Sequence, residues 1–314
     1  MKRYVIKRIG IAIIVLFGIT IIDFAIMRLA GNPLDIIAAK PRINKEMLAQ
    51  KAANMGLDIP IWQQYLRWIE EVLHGNFGIS YTTYQPVSEM ILGRMGSTLV
   101  LMGSALVISI LISAGAGIYS ALHHNRISDY LIVTLAFLGQ SVPSFFLALI
   151  FIYLFTVRLG ILPSGGMKDL GSRIFVDFRH MIMPVSILAL QMAGQNIRYV
   201  RSAVLEILGK DYLRTAKAKG IGYHNVIGKH ALRNALIPIV TVIGMEIPML
   251  FGGAVIVEQM FSWPGLGLLT MNAVVSRDYP VIMAICLLSA VVVLFGNLLT
   301  DLVYALVDPG VSYR

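Results

Sequence analysis

A single cysteine stands in this chain of 314 residues, and it, Cys286, lies inside an apolar run. That excludes a disulfide framework and a cysteine-based metal site and leaves packing as its role. Charge is sparse as well: Asp, Glu, Lys and Arg make up 14% of residues against 57% hydrophobic, with a mean hydropathy of +0.76. A soluble sphere of this size could not hide so much apolar surface, which excludes a soluble domain and calls for a polytopic membrane protein. No Gly-x-x-x-x-Gly-Lys-Ser/Thr loop occurs, so the chain does not bind ATP phosphates by that route, and no His-Glu-x-x-His pair occurs. The segment Gly139-Gln140-Ser141-Val142-Pro143 falls short of a hydrolase nucleophile elbow because its last glycine is a proline. No internal repeat argues for an ion-coupled secondary transporter, the main rival from another class. No catalytic residue and no metal ligand is assigned; the adjacent His123 and His124 read as structural.

What is present is a series of apolar runs. At 1.5 Å per residue, residues 9–30 cover a hydrocarbon core of about 30 Å. Lys2, Arg3, Lys7 and Arg8 precede this run and put the N-terminus inside. Further spans are predicted over residues 98–121, 130–157, 180–199, 235–257 and 279–307, about six in all with both ends cytoplasmic. The net charge of +9 sits mostly in the inside loops, which accounts for it without nucleic acid. Gly103, Ala114, Gly115 and Gly117 are expected to let helices approach closely. Pro143 predicts a kink in the third span, its freed carbonyls finding side-chain partners. Three regions follow: 1–30, the cytoplasmic N-terminus and first span; 31–97, an extracytoplasmic segment with Trp62, Tyr65 and Trp68; and 98–314, a core membrane domain. Residues 259–278 read as an external hairpin, with Glu258 at the outer end of the fifth span.

Between the fourth and fifth spans lies a polar, basic stretch at about 206–233. Asp211 is placed to cap a helix from Tyr212 to about Lys219, and Gly220 and Gly222 to stop it. Lys210, Arg214 and Lys217 fall on one side; Leu213, Ala216 and Gly220 fall on the other. Two turns are marginal alone, so something else must hold this helix. A loop that only sets topology and touches anionic lipid explains the composition, and so does a helix whose small apolar face docks on a partner.

The run Arg214-Thr215-Ala216-Lys217-Ala218-Lys219-Gly220, followed by His230-Ala231-Leu232-Arg233-Asn234-Ala235-Leu236-Ile237-Pro238, resembles the EAA loop of ABC importer permeases. The likeness is to the peptide and nickel branch, of the oligopeptide and dipeptide permease B type. Ala216, Gly220 and Leu232 match the general pattern; Arg214-Thr215, His230 and Arg233 depart from it in the manner of peptide permeases. Gly75-Asn76-Phe77-Gly78-Ile79-Ser80 and the stretch from Glu258 to Gly267 look like the same branch.

The resemblance implies an all-α type I ABC importer permease in a bacterial-type plasma membrane, carrying oligopeptides or dipeptides, with nickel or a metal chelate as the other reading. It implies a second permease subunit, separate ABC ATPase subunits that hold the ATP and magnesium, and an extracytoplasmic substrate-binding protein. No cofactor is expected on this chain, and its other contact is membrane lipid. Asp211, Tyr212, Arg214, Thr215, Ala216, Lys217, Lys219 and Gly220 would form the helix that couples to the ATPase. Glu246, Asn297 and Asp301 are the polar groups expected along a substrate path, with interhelical hydrogen bonding as the competing role.

Overall fold

A computed structural model describes residues 2–29, 31, 34, 46–47, 50, 59–169, 171, 175–220, 222, 225, 246 and 254–307, with backbone alone at 2–5, 214, 216–218 and 299–307. Among the described residues the regular structure is helical: α1 Lys2–Leu29, α2 Ile61–Leu73, α3 Val87–Leu122, α4 Ile127–Ser141, α5 Ser144–Phe151, α6 Phe178–Leu208, α7 Asp211–Ala218, α8 Val255–Met260, α9 Leu266–Val275 and α10 Tyr279–Val307. Three of these, α1, α3 and α10, are long and apolar enough to cross a membrane, and the bent pair α4–α5 makes a fourth if it crosses as one. α6 holds the predicted fourth span, but Gln191, Gln195, Asn196 and Arg198 interrupt its apolar character. Most of the predicted fifth span lies outside the described residues.

The chain divides into two compact units, Met1–Gly96 with Leu268–Leu294, and Ser97–Gly267 with Phe295–Arg314. In the first unit, α1 leaves isoleucines and Phe17 exposed, as suits contact with lipid, and buries Thr20, Asp23 and Phe24. The amphipathic α2 turns Tyr65 toward α1, where its hydroxyl lies 2.9 Å from Thr20 Oγ1 and its ring meets Phe24 edge-on at 5.5 Å. Beyond α2 the loop is fastened by Asp278, whose carboxylate accepts from Ser80 Oγ (2.5 Å), the Tyr81 N–H (3.0 Å) and Thr82 Oγ1 (2.7 Å). Burial pushes the Tyr81 phenol above its ordinary range, with the Arg28 charge opposing it.

The second unit is centred on Leu101, Met183, Ile187, Val257, Phe261 and Trp263. α4 and the segment Ser144–Arg158 that α5 opens meet at an angle of 96° across Val142-Pro143, as expected where proline disfavours helix in the residue before it. Gln191 of α6 donates to the freed Val142 carbonyl at 3.2 Å. After α5 the chain widens into a π-helical turn, Ile152–Arg158. Among the described residues, close approach along α3 is seen at one of its glycines. A Cβ on Gly117 would lie 2.7 Å from Val200 Cβ, but Gly103 and Gly115 have no described neighbour within 4 Å. The tightest contact of this kind is at Gly194 of α6, where a Cβ would lie 2.5 Å from the Ala136 carbonyl of α4.

Residues 259–278 are not a simple hairpin. The turn after α8 buries Trp263 completely and leads into the apolar helix α9. The Trp263 indole donates to the Ser97 carbonyl at 2.9 Å, which gives this large side chain a partner for its only donor.

Candidate coupling helix and buried polar groups

The candidate coupling residues Asp211, Tyr212, Thr215, Lys219 and Gly220 stand on α7 or at its end, a helix of eight residues joined to α6 by Gly209 and Lys210 alone. Asp211 stands inside the first turn, one place later than a cap, where its charge still suits the positive end of the helix dipole. Thr215 Oγ1 donates to the Asp211 carbonyl at 3.1 Å. Gly220 follows with φ +78°, the left-handed conformation that ends helices and favours glycine. Tyr212, Thr215, Lys219 and Gly220 are exposed, whereas the side chains of Arg214, Ala216 and Lys217 lie outside the described residues. Leu213 is the anchor: it is 2% exposed and packs on Ile207 and Leu208 of α6. Lys210 Nζ adds an exposed ion pair to Glu206 at 3.0 Å, one turn back. The continuation toward His230 and Pro238 lies outside the described residues.

Of the three path candidates, Glu246 is half-buried and accepts from Asn196 Nδ2 at 2.8 Å. Asn196 also reaches Ser109 Oγ of α3 at 3.4 Å, so Glu246 belongs to an interhelical polar chain. Asn297 is exposed on α10, and the Asp301 side chain lies outside the described residues.

Two buried carboxylates were not singled out by sequence pattern. Asp129, at the start of α4, is 1% exposed and pairs bidentately with Arg201 of α6 at 2.7 and 2.8 Å. It also accepts from Ser120 Oγ and from the Asn125 N–H at 3.0 Å. Bonding to Asp129 raises the Arg201 guanidinium's hold on its proton, while burial opposes this. Glu258, read from sequence as lying at the end of a span, is fully buried and accepts from Thr98 Oγ1 at 3.0 Å. Asp169, Asp177 and His180 bring ligand-type atoms within 4.8 Å of one another, but Asp177 caps α6 through the Arg179 N–H and His180 Nδ1 faces the Gly165 carbonyl at 2.9 Å, so two of the three have structural duties.

Residues 113–313 match the family described as binding-protein-dependent transport system inner membrane component, and residues 1–102 match the N-terminal component of the same transport systems. The chain belongs to this family. The permease is 42% identical over 318 residues to the oligopeptide transport system permease protein AppB of Bacillus subtilis (strain 168), with all of both chains covered. It is 36% identical over 341 residues to the dipeptide transport system permease protein DppB of Escherichia coli (strain K12), again over the whole of both. Among solved structures it resembles the MetNI methionine ABC transporter in an inward-facing conformation, with a TM-score of 0.57, 17% identity, and coverage of 70% of this chain and 96% of that one. The permease therefore has the all-α, type I ABC importer transmembrane fold and is an inner-membrane protein. In such a permease α7 occupies the place in the chain where the EAA-like motif begins.

Proposed function

We propose that this chain is the membrane-spanning subunit of an ATP-driven importer of oligopeptides or dipeptides. The observation that carries the substrate class is end-to-end identity with an oligopeptide permease and a dipeptide permease, at 42% and 36%. No comparable observation favours nickel or a metal chelate. ATP and magnesium are held by separate ATPase subunits, a second permease subunit completes the membrane part, and an extracytoplasmic binding protein delivers the peptide.

Coupling runs through α7. An exposed helix of two turns, seated on α6 by Leu213 and flanked by Tyr212, Thr215 and Lys219, suits a groove on an ATPase surface and would carry its movement into α6. Since the binding protein supplies selectivity, Glu246, Asn297 and Asp301 need only line a wet path, and the bond from Asn196 would hold Glu246 in place there. The test is ATP-dependent uptake of labelled di- to pentapeptides into proteoliposomes holding the assembled transporter. Uptake that proceeds without ATP on a proton or sodium gradient would exclude the proposal.

A further inference from the structure

The Asp129 carboxylate sits where three helices meet. On one side it closes the turn between α3 and α4, accepting from Ser120 Oγ near the end of α3 and from the Asn125 N–H within the turn. On the other it takes both arms of the Arg201 fork, Nε at 2.7 Å and Nη2 at 2.8 Å. Another titratable neighbour, His124, has Nδ1 at 3.0 Å from Arg201 Nη2 and 3.3 Å from Asp129 Oδ2; arginine only donates, so the ring nitrogen accepts from it. Bidentate pairing fixes orientation as well as distance, and a carboxylate with this many donors has no free arc in which to swing. One turn beyond Arg201, Val204 packs with Ala121 and Val200, joined by Leu205, Ile207 and Leu208. Ile207 and Leu208 are the residues that seat Leu213 of α7. The line from α7 to the α3–α4 turn is thus continuous: Leu213, the end of α6, Arg201, Asp129.

We infer that the Asp129–Arg201 pair is a transmission joint, a pair of positioning residues that makes the adjoining ends of α3, α4 and α6 follow the coupling helix as one piece. The inference rests on the coupling role proposed for α7. A buried ion pair is weak evidence for stability in itself, since apolar residues of similar volume often serve as well. Its use here is directional: a fork on a carboxylate adds a fixed orientation to the packing of α6 against α4.

The joint is tested in proteoliposomes with the complete transporter and its binding protein, comparing wild type with Arg201→Lys and Asp129→Asn. Lysine keeps the charge but loses the fork, so the buried carboxylate stays compensated and the chain can still fold. Peptide uptake per ATP hydrolysed is expected to fall ~10-fold, a typical allosteric coupling ratio, while ATP hydrolysis without binding protein stays close to wild type. A merely structural pair gives another result, in which uptake and hydrolysis fall together in proportion to assembled transporter; that pattern, or an unchanged ratio in both variants, overturns the joint and leaves peptide import standing. If the wild-type transporter itself shows no ATP-dependent peptide uptake, the functional proposal falls and the joint with it.

Discussion

Thr98 Oγ1 donates to the buried Glu258 carboxylate at 3.0 Å and accepts the Leu266 N–H at 2.7 Å, so one hydroxyl ties the start of α9 to the acid of α8. Removing it takes one hydrogen bond from each partner at once. Thr98→Val keeps the shape and should cost roughly 2–5 kcal/mol, since a buried donor and a buried carboxyl acceptor each lose a bond. Thr98→Ser should cost far less. Thermal unfolding of the detergent-solubilised transporter measures both; equal midpoints for the two variants would contradict this reading.

Gly265 adjoins the same pair. A Cβ there would lie 2.5 Å from both Glu258 Oε1 and Thr98 Oγ1, with no room unless the hydrogen bond breaks. Gly265→Ala is expected to destabilise by about 1–3 kcal/mol or more and to lower the amount of folded protein recovered from membranes. Recovery equal to wild type would show that the α8–α9 turn yields more easily than its packing implies.

Helix contacts give a graded comparison. At Gly117 the obstacle is the Val200 side chain at 2.7 Å, whereas at Gly194 it is the backbone carbonyl of Ala136 at 2.5 Å. Side chains can be trimmed and backbone cannot. Gly117→Ala should lose about 1–3 kcal/mol and recover only a minor part in combination with Val200→Ala, which removes Val200 Cγ1 but keeps the Cβ at 2.7 Å, whereas Gly194→Ala should lose more than Gly117→Ala. The order of unfolding midpoints among the variants checks this.

Asp278 holds the 80–82 loop through two hydroxyl and two backbone donors. Asp278→Asn replaces one acceptor with an amide that faces donors, costing roughly 1–3 kcal/mol locally. The expected readout is faster proteolytic cleavage between residues 78 and 86, with α10 still inserted.

Long apolar runs were the most readable part of the chain. The last helix occupies residues 279–307, the bounds its run predicts, whereas the first ends at Leu29, within one residue of its own, but already begins at Lys2 among the basic residues before the run. A single proline announced the bend at Val142-Pro143, and turn chemistry announced the stop at Gly220, because both act through local backbone geometry. Contacts made at a distance were not readable. Asp129 and Arg201 are 72 residues apart, and each alone looks like an ordinary charge in a loop or at a helix end. Glu258 gave the same impression, because periodicity does not reveal that the chain folds back over it through Trp263. Glycines show the same limit: composition marks Gly103, Gly115 and Gly117 alike, and only the neighbour across the interface decides, which among the described residues is seen at Gly117.

The seat of α7 on α6 offers the most direct test of coupling. Leu213 is the one side chain of that helix seen to be buried, while Tyr212, Thr215 and Lys219 face outward. The measurement is peptide uptake and ATP hydrolysis by reconstituted transporter carrying Leu213→Ala, beside wild type and the exposed control Lys219→Gln. Coupling through this helix predicts that Leu213→Ala inserts and assembles but loses uptake by ~10-fold or more relative to hydrolysis, since Leu213 is what seats the helix on Ile207 and Leu208 of α6 among the described residues. If Leu213→Ala imports peptide at the wild-type rate per ATP, the energy of hydrolysis does not pass through α7, and the coupling mechanism proposed for this permease is wrong.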